Sequence, residues 1–283
     1  MVSKKFILKS IDDAITKCPK GYVSPKYRLE NFNEKEYSHE EYSPDQDPDN
    51  TKNLSENKYT YHSPIGRIQK LQEDLQDQIE YTNIDKAVAE YWAYGGSMDM
   101  NLSLLLEKNP NDNSYNEGDK IGYAMDTKIR MKVEGWDEHH PEDLDKDVDE
   151  VGWYPRFTKS EIIGFFDDLI EKSPRLEESC VMYRCGSLPT GMKVGDYGVL
   201  DCFSSCTFNS YVSEKAIREM PWVKKGRYNI RIFAPKGTKG FVPYEGLDCE
   251  DWQSEWVLPR GQRFILLARN TKTKPRTADI LLY

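Results

Sequence analysis

The hydrophobic period of the chain changes at Ser173-Pro174, and few architectures accommodate such a change. Before that point apolar residues recur every three or four positions, the spacing that lines one face of a helix. Ile65, Ile68, Leu71, Leu75 and Ile79 form one such series, with Ser63 placed as an N-cap and Pro64 in the first turn. A second helix is expected from Ile84 to Tyr94 through Ala87, Val88, Tyr91 and Trp92, ended by Gly95-Gly96, and a third from Met98 to Glu107. Thr158 caps a fourth, with Ile162, Ile163, Phe166, Leu169 and Ile170 on its apolar face. After Pro174 the apolar residues gather in short β-prone runs: Cys180 to Cys185, Gly198 to Thr207, Tyr228 to Ala234, Gly240 to Val242, Glu255 to Leu258, Phe264 to Ala268 and Ile280 to Tyr283. A short helix near Val212 to Met220 interrupts them. Helices first and strands afterwards predict an α+β fold, with N-terminal helices and then a β core, and exclude the alternating order of an α/β sheet.

Two stretches stand outside this pattern. Residues 1–60 are polar and nearly devoid of aliphatic side chains between Glu34 and Lys58, so they bury too little apolar surface to offset their ordering entropy. A partly disordered or extended arm is expected there, dispensable for chemistry, with a folded domain over 63–283. Residues 108–150 are irregular and acidic, culminating in Asp137 to Glu150, and read as a solvated insertion. No apolar run reaches membrane-span length, and the N-terminus lacks the order of a secretory signal. A soluble protein made in the cytoplasm is expected, with delivery to a host by a specialised route left open. The six cysteines form no CxxC pair, and no histidine stands at zinc-finger spacing, so reduced thiols and no metal are expected.

The formal charge of -9 is unevenly spread. Residues 1–150 carry 19 basic against 32 acidic side chains, a surface on which a regulator or antitoxin could bind. Between Lys215 and Lys239 eight cations, among them Lys224, Lys225, Arg227, Arg231 and Lys236, are opposed only by Glu219. Such a run concentrates anionic ligands, and with Trp222, Tyr228, Phe241 and Tyr244 nearby it could contact RNA or DNA through phosphates and stacked bases.

Three strand segments carry polar groups that a plain core would not. Arg184 interrupts the apolar run Val181 to Gly186 and needs an anionic partner, either a carboxylate of the protein or a ligand phosphate. Phe203-Ser204-Ser205-Cys206-Thr207 alternates hydroxyls with a thiol. Gln253 and Glu255 project from one strand face ahead of the turn Pro259-Arg260-Gly261, either as reacting groups or on a wet edge.

In this order the three segments resemble the signatures of the mono-ADP-ribosyltransferase toxin family: an aromatic-Arg strand, a Ser-Thr-Ser-like strand, and a Gln-x-Glu pair before a Leu-Leu-Pro-Arg-Gly-like turn. Tyr91 through Asn101-Leu102 resembles the family's helical motif, where the Tyr and Asn lock a helical corner. Gly237 to Glu245 resembles its glycine-bearing strand and target-recognition loop. The resemblance implies a two-sheet mixed β core and NAD as substrate. It implies Glu255, Gln253 and Ser205 as catalytic residues, and Arg184, Tyr183, Gly186, Ser205, Thr207 and Phe241 around NAD. Cys206 stands where the family has Thr, and Thr207 where it has the last Ser. Gln253 is similar to the Rho-modifying exoenzymes and favours a protein acceptor. The same chemistry on RNA or DNA, hydrolysis of NAD by water, and an inactive NAD-binding or interaction module are the alternatives.

Overall fold

The computed structural model describes residues 32–38, 64–97, 100–101, 104, 157–208, 213, 227–247, 249, 255–273 and 275–283. Within them, α1 is Pro64–Gln76, α2 is Asn83–Tyr91 with a π-helical turn at Trp92–Gly96, and α3 is Lys159–Lys172. The strands are β1 Cys180–Gly186, β2 Tyr197–Val199, β3 Ser204–Thr207, β4 Tyr228–Ala234, β5 Glu255–Leu258, β6 Arg263–Asn270 and β7 Arg276–Leu282. Helices therefore precede strands, and the fold is α+β as expected. The acidic insertion, most of the third expected helix and all but Ser213 of the short helix at 212–220 lie outside the described residues. No described helix is long and apolar enough to cross a membrane.

The strands form one sheet in the order β2-β6-β7-β4-β1-β3-β5, with β4 and β7 parallel and the other pairs antiparallel. The expected two-sheet division is not a break in pairing. The five-stranded part ending at β1 meets the β3-β5 pair at a single register position, Tyr183 opposite Thr207. The run expected as one strand from Gly198 to Thr207 is split. β2 lies at one edge of the sheet, beside β6, and β3 lies next to the other edge. The crossing occurs at Leu200, whose N–H donates to the Gln262 carbonyl and whose carbonyl accepts from Gly261 N–H, so the backbone there serves a turn contact.

Both α2 and α3 begin with capping boxes, Thr82 with Asp85 and Thr158 with Glu161. Asp85 also receives Lys172 Nζ at 2.8 Å on both oxygens, which ties the start of α2 to the end of α3. Burial opposes ionisation of Asp85, but the bonds from Lys172 and Thr82 outweigh it and lower its pKa. α1 is tied to the sheet by the buried Gln76, whose amide exchanges two 2.9 Å hydrogen bonds with the backbone of Val242 as a neighbouring strand would. These helices cover the main core, where Ile68, Val88, Phe166 and Leu169 meet Met182, Ile232 and Trp256.

The opposite face of the central strands has its own covering, and it comes from the expected arm. Val181, Phe233, Ile265 and Leu281 form a second apolar cluster against which Phe32 and Tyr37 pack. Both rings meet Phe233 edge-on, with centroids 5.1 and 5.3 Å away. Ser38 bridges to Cys180 in parallel, and Arg231 is held between Asp279 and Glu34 at 2.8 Å from each. Residues 32–38 are thus a strap belonging to the domain, and a boundary at 63 leaves them out. Two aromatic rings outweigh the polarity of their neighbours because the cluster beneath would otherwise face water.

Replacing Phe32 and Tyr37 together with Ala is expected to lower unfolding free energy by about 2–3 kcal/mol. Urea denaturation checks this, and a chain beginning at Asn57 should show at least the same loss. An unchanged midpoint would mean the strap contributes nothing.

Candidate active site

The site is assembled where the β3-β5 pair meets β1. Glu255, the first residue of β5, stands opposite Thr207, and Cys206 stands opposite Trp256. Ser205 lies two residues from Thr207, on the same strand face and diagonal to Glu255, within reach of a long side chain. It hydrogen-bonds the Glu255 carboxylate. From the helical layer, Trp92 Nε1 donates to Glu255 Oε1 at 3.1 Å. From β1, Arg184 Nη1 donates to the Ser205 carbonyl at 2.5 Å, and its charge acts on Glu255. Among the described residues no carboxylate lies within ion-pair distance of Arg184.

An aromatic wall stands behind the carboxylate. Trp92 stacks on Phe166 with centroids 4.8 Å apart, Phe203 meets both edge-on, and Phe166 meets Phe241 edge-on at 5.4 Å. Burial against this wall raises the Glu255 pKa, while the bonds from Ser205 and Trp92 and the charge of Arg184 pull it back only partly. Burial also pushes the Cys206 thiol up to about 12, with Arg184 opposing. Cys206 is therefore a neutral core side chain whose Sγ donates to the Ser204 carbonyl.

Arg184, Ser205 and Glu255 are brought together; the other expected residues divide. Gln253 lies outside the described residues. Thr207 sits in the same cross-strand row as Glu255 and is buried. Gly186 lies beside Arg184: a Cβ there would stand 3.3 Å from Arg184 Nε, so the glycine makes room for the guanidinium. Tyr183 and Phe241 do not fit an NAD-contacting role. Side chains alternate along β1, so Tyr183 turns away from Arg184 and packs with the strap cluster. The Phe241 ring is fully buried in the main core. Asn101, expected to lock a helical corner, instead donates to the Phe203 carbonyl at 3.1 Å and pins the approach to β3.

Trp92 is the site residue that the sequence reading missed. Its spacing marked it as helix core, and it is core; the available signal was that a buried indole N–H requires an acceptor. The acceptor's identity was not readable from spacing.

Of the expected basic run, the described residues hold Arg227, which is exposed, and three cations engaged with carboxylates. Arg231 is engaged on the strap side, Lys236 binds Glu177 at 2.9 Å, and Lys239 binds Glu171. Tyr228 and Phe241 are buried, and Tyr244 donates its hydroxyl to Asp77 at 2.9 Å, so none offers a ring face to a base. Lys215 to Lys225 and Trp222 lie outside the described residues. Among the described residues no group of three His, Cys, Asp or Glu is arranged to hold a metal.

Neither a protein-family model nor a curated protein matches the chain. Solved structures do. C3stau2 from S. aureus, solved with NAD, is 16% identical with a TM-score of 0.47, over 77% of this chain and 94% of that one. Vis toxin, an ADP-ribosyltransferase from Vibrio splendidus, is 14% identical with a TM-score of 0.45, over 77% and 85%. The C3 exoenzyme of Clostridium limosum is 10% identical with a TM-score of 0.45, over 77% and 94%. The likeness is to ADP-ribosyltransferase toxins. They are the kind of protein that the three sequence segments resemble; activity itself follows from a site and not from a fold.

A carboxyl whose pKa is raised in the folded state binds its proton more readily there than in the unfolded chain, so it subtracts stability once pH exceeds the unfolded value. Glu255→Gln, which keeps an acceptor oxygen for Trp92, is therefore expected to match or exceed the wild type in thermal stability at pH 7, with the gain vanishing at about pH 4. Calorimetry at the two pH values checks the sign.

Proposed function

We propose that the chain is an NAD-dependent mono-ADP-ribosyltransferase that acts on a protein, as a toxin or effector. The observation that supports this best is the pairing of a part-buried arginine, without a carboxylate partner among the described residues, with a part-buried carboxylate held by two donors and under the arginine's charge. Arg184 is suited to the pyrophosphate, because a guanidinium offers a planar fork of donors to phosphate oxygens. Glu255 accepts from the 2′-hydroxyl of the nicotinamide ribose and lies where positive charge develops. The bond from the ribose anomeric carbon to the nicotinamide nitrogen breaks, its electron pair leaves with nicotinamide, and an oxocarbenium-like sugar remains. The acceptor's nucleophile bonds to that carbon and releases its proton to solvent. Ser205 keeps Glu255 oriented throughout. Gln253 lies two residues before Glu255 and is assigned to the acceptor group.

A protein acceptor is favoured over RNA or DNA by the engagement of Arg231, Lys236 and Lys239 with carboxylates and by the burial of the nearby aromatic rings. Incubation with labelled NAD and a cell lysate, followed by protease or nuclease, tests this. Label lost with protease and kept with nuclease supports it, the reverse identifies a nucleic acid, and NAD cleavage without any label identifies a glycohydrolase. Glu255→Gln is expected to lower transfer by ~10²-fold or more, because it removes charge stabilisation made chiefly in the transition state. Arg184→Ala is expected to weaken NAD binding as well, read by calorimetric titration. Comparable turnover in the Glu255 variant would remove that carboxylate from the reaction.

A further inference from the structure

The carboxylate of Glu255 is held from two layers, and the hold from the helical layer belongs to a residue with no place in the three sequence segments. Trp92 is 2% exposed, stacked on Phe166 at an interplanar angle of 20° and edge-on to Phe203 at 85°. Packing on two sides fixes the direction of its N–H, so the 3.1 Å bond to Glu255 Oε1 is set by the core and not by solvent. Trp92 also opens the π-helical turn that ends α2. Such turns re-aim the residues they contain and recur at functional sites. The turn is held closely: a Cβ on Gly96 would stand 2.4 Å from the Tyr91 ring.

We infer that Trp92 is a positioning residue for Glu255, its indole N–H fixing the plane and rotamer of the carboxylate from the helical layer while Ser205 holds it from the sheet. The catalytic meaning of this link rests on the transferase reading above; the link itself does not. A donor to the charged form favours that form, which counters the cost of burial. Among the described residues, the titratable or charged groups acting on this carboxylate include Arg184 from β1 and Cys206 from β3. Cys206 stays neutral through the range in which Glu255 titrates, while Trp92, Phe166 and Phe203 carry no titrating group.

Two variants remove the N–H: Trp92→Phe, and site-specific replacement of Trp92 by 3-benzothienylalanine, which keeps the bicyclic outline with sulfur in place of N–H. Glutamate labelled with carbon-13 at the side-chain carboxyl, with residue 255 assigned through Glu255→Gln, is titrated by NMR in the full chain. In both variants the Glu255 titration is expected about one pH unit higher, the effect of losing one hydrogen bond to a charged acceptor. The acid limb of NAD cleavage should move with it, and a rate below the wild type should persist on the alkaline plateau, where Glu255 is fully charged but no longer held in orientation. A folded benzothienylalanine variant whose Glu255 titrates as in the wild type overturns the inference. A wild type that cleaves no NAD, with the titration still displaced in the variants, refutes the transferase reading and leaves the link between Trp92 and Glu255 standing.

Discussion

The stacking of Trp92 on Phe166 joins the helical layer to the strands that carry the chemistry. One ring belongs to the end of α2 and the other to the middle of α3, and Phe203 closes the group from the approach to β3. Rings of this size bury large apolar area and also prefer particular angles, so they fix orientation as well as cohesion. Orientation is what the site requires. If the two helices slid past each other by a fraction of a turn, the indole N–H would lose Glu255 and the carboxylate would be left buried with fewer donors.

The junction at Tyr183 and Thr207 imposes the other constraint. β1 and the β3-β5 pair meet at one register position, and beside it Arg184 reaches the Ser205 backbone. A fully paired flat sheet would place Arg184 and Glu255 on opposite faces by strict alternation. Behind this junction the strap of residues 32–38 covers Val181 and Phe233. The strand that carries Arg184 is thus braced on one face by the core and on the other by a segment distant in sequence.

The charged groups follow a consistent division. Asp85, Arg231 and Arg260 are engaged with partners of opposite sign and hold elements together, Arg260 with Asp167 at 2.5 Å. Arg184 bonds to a backbone carbonyl, which leaves its charge uncompensated by any described carboxylate at ion-pair distance. A part-buried cation in that state, facing a carboxyl with a raised pKa, is an arrangement more costly to the fold than a salt bridge. Departures of this kind from local stability are characteristic of sites that bind or react.

The α+β class, α1, α2, α3 and most strands followed from apolar spacing and caps, because those signals are local and each element's own backbone bonds enforce them. Arg184 stood out as a charged residue in an apolar strand, whereas Ser205 and Glu255, which alone read as a half-polar strand and a wet edge, were singled out by the order in which the three segments resemble family signatures. The split of Gly198 to Thr207 between opposite edges of the sheet was not, since strand partners are chosen by distant chain segments. The same holds for the turning of Tyr183 toward the strap, for the burial of Phe241, and for the docking of Phe32 and Tyr37, whose polar surroundings read as an arm. Trp92 shows the division in one residue. Helical period alone placed it in the core, but only the packing of two helices against β3 and β5 decided that its single polar atom would meet the carboxylate of Glu255.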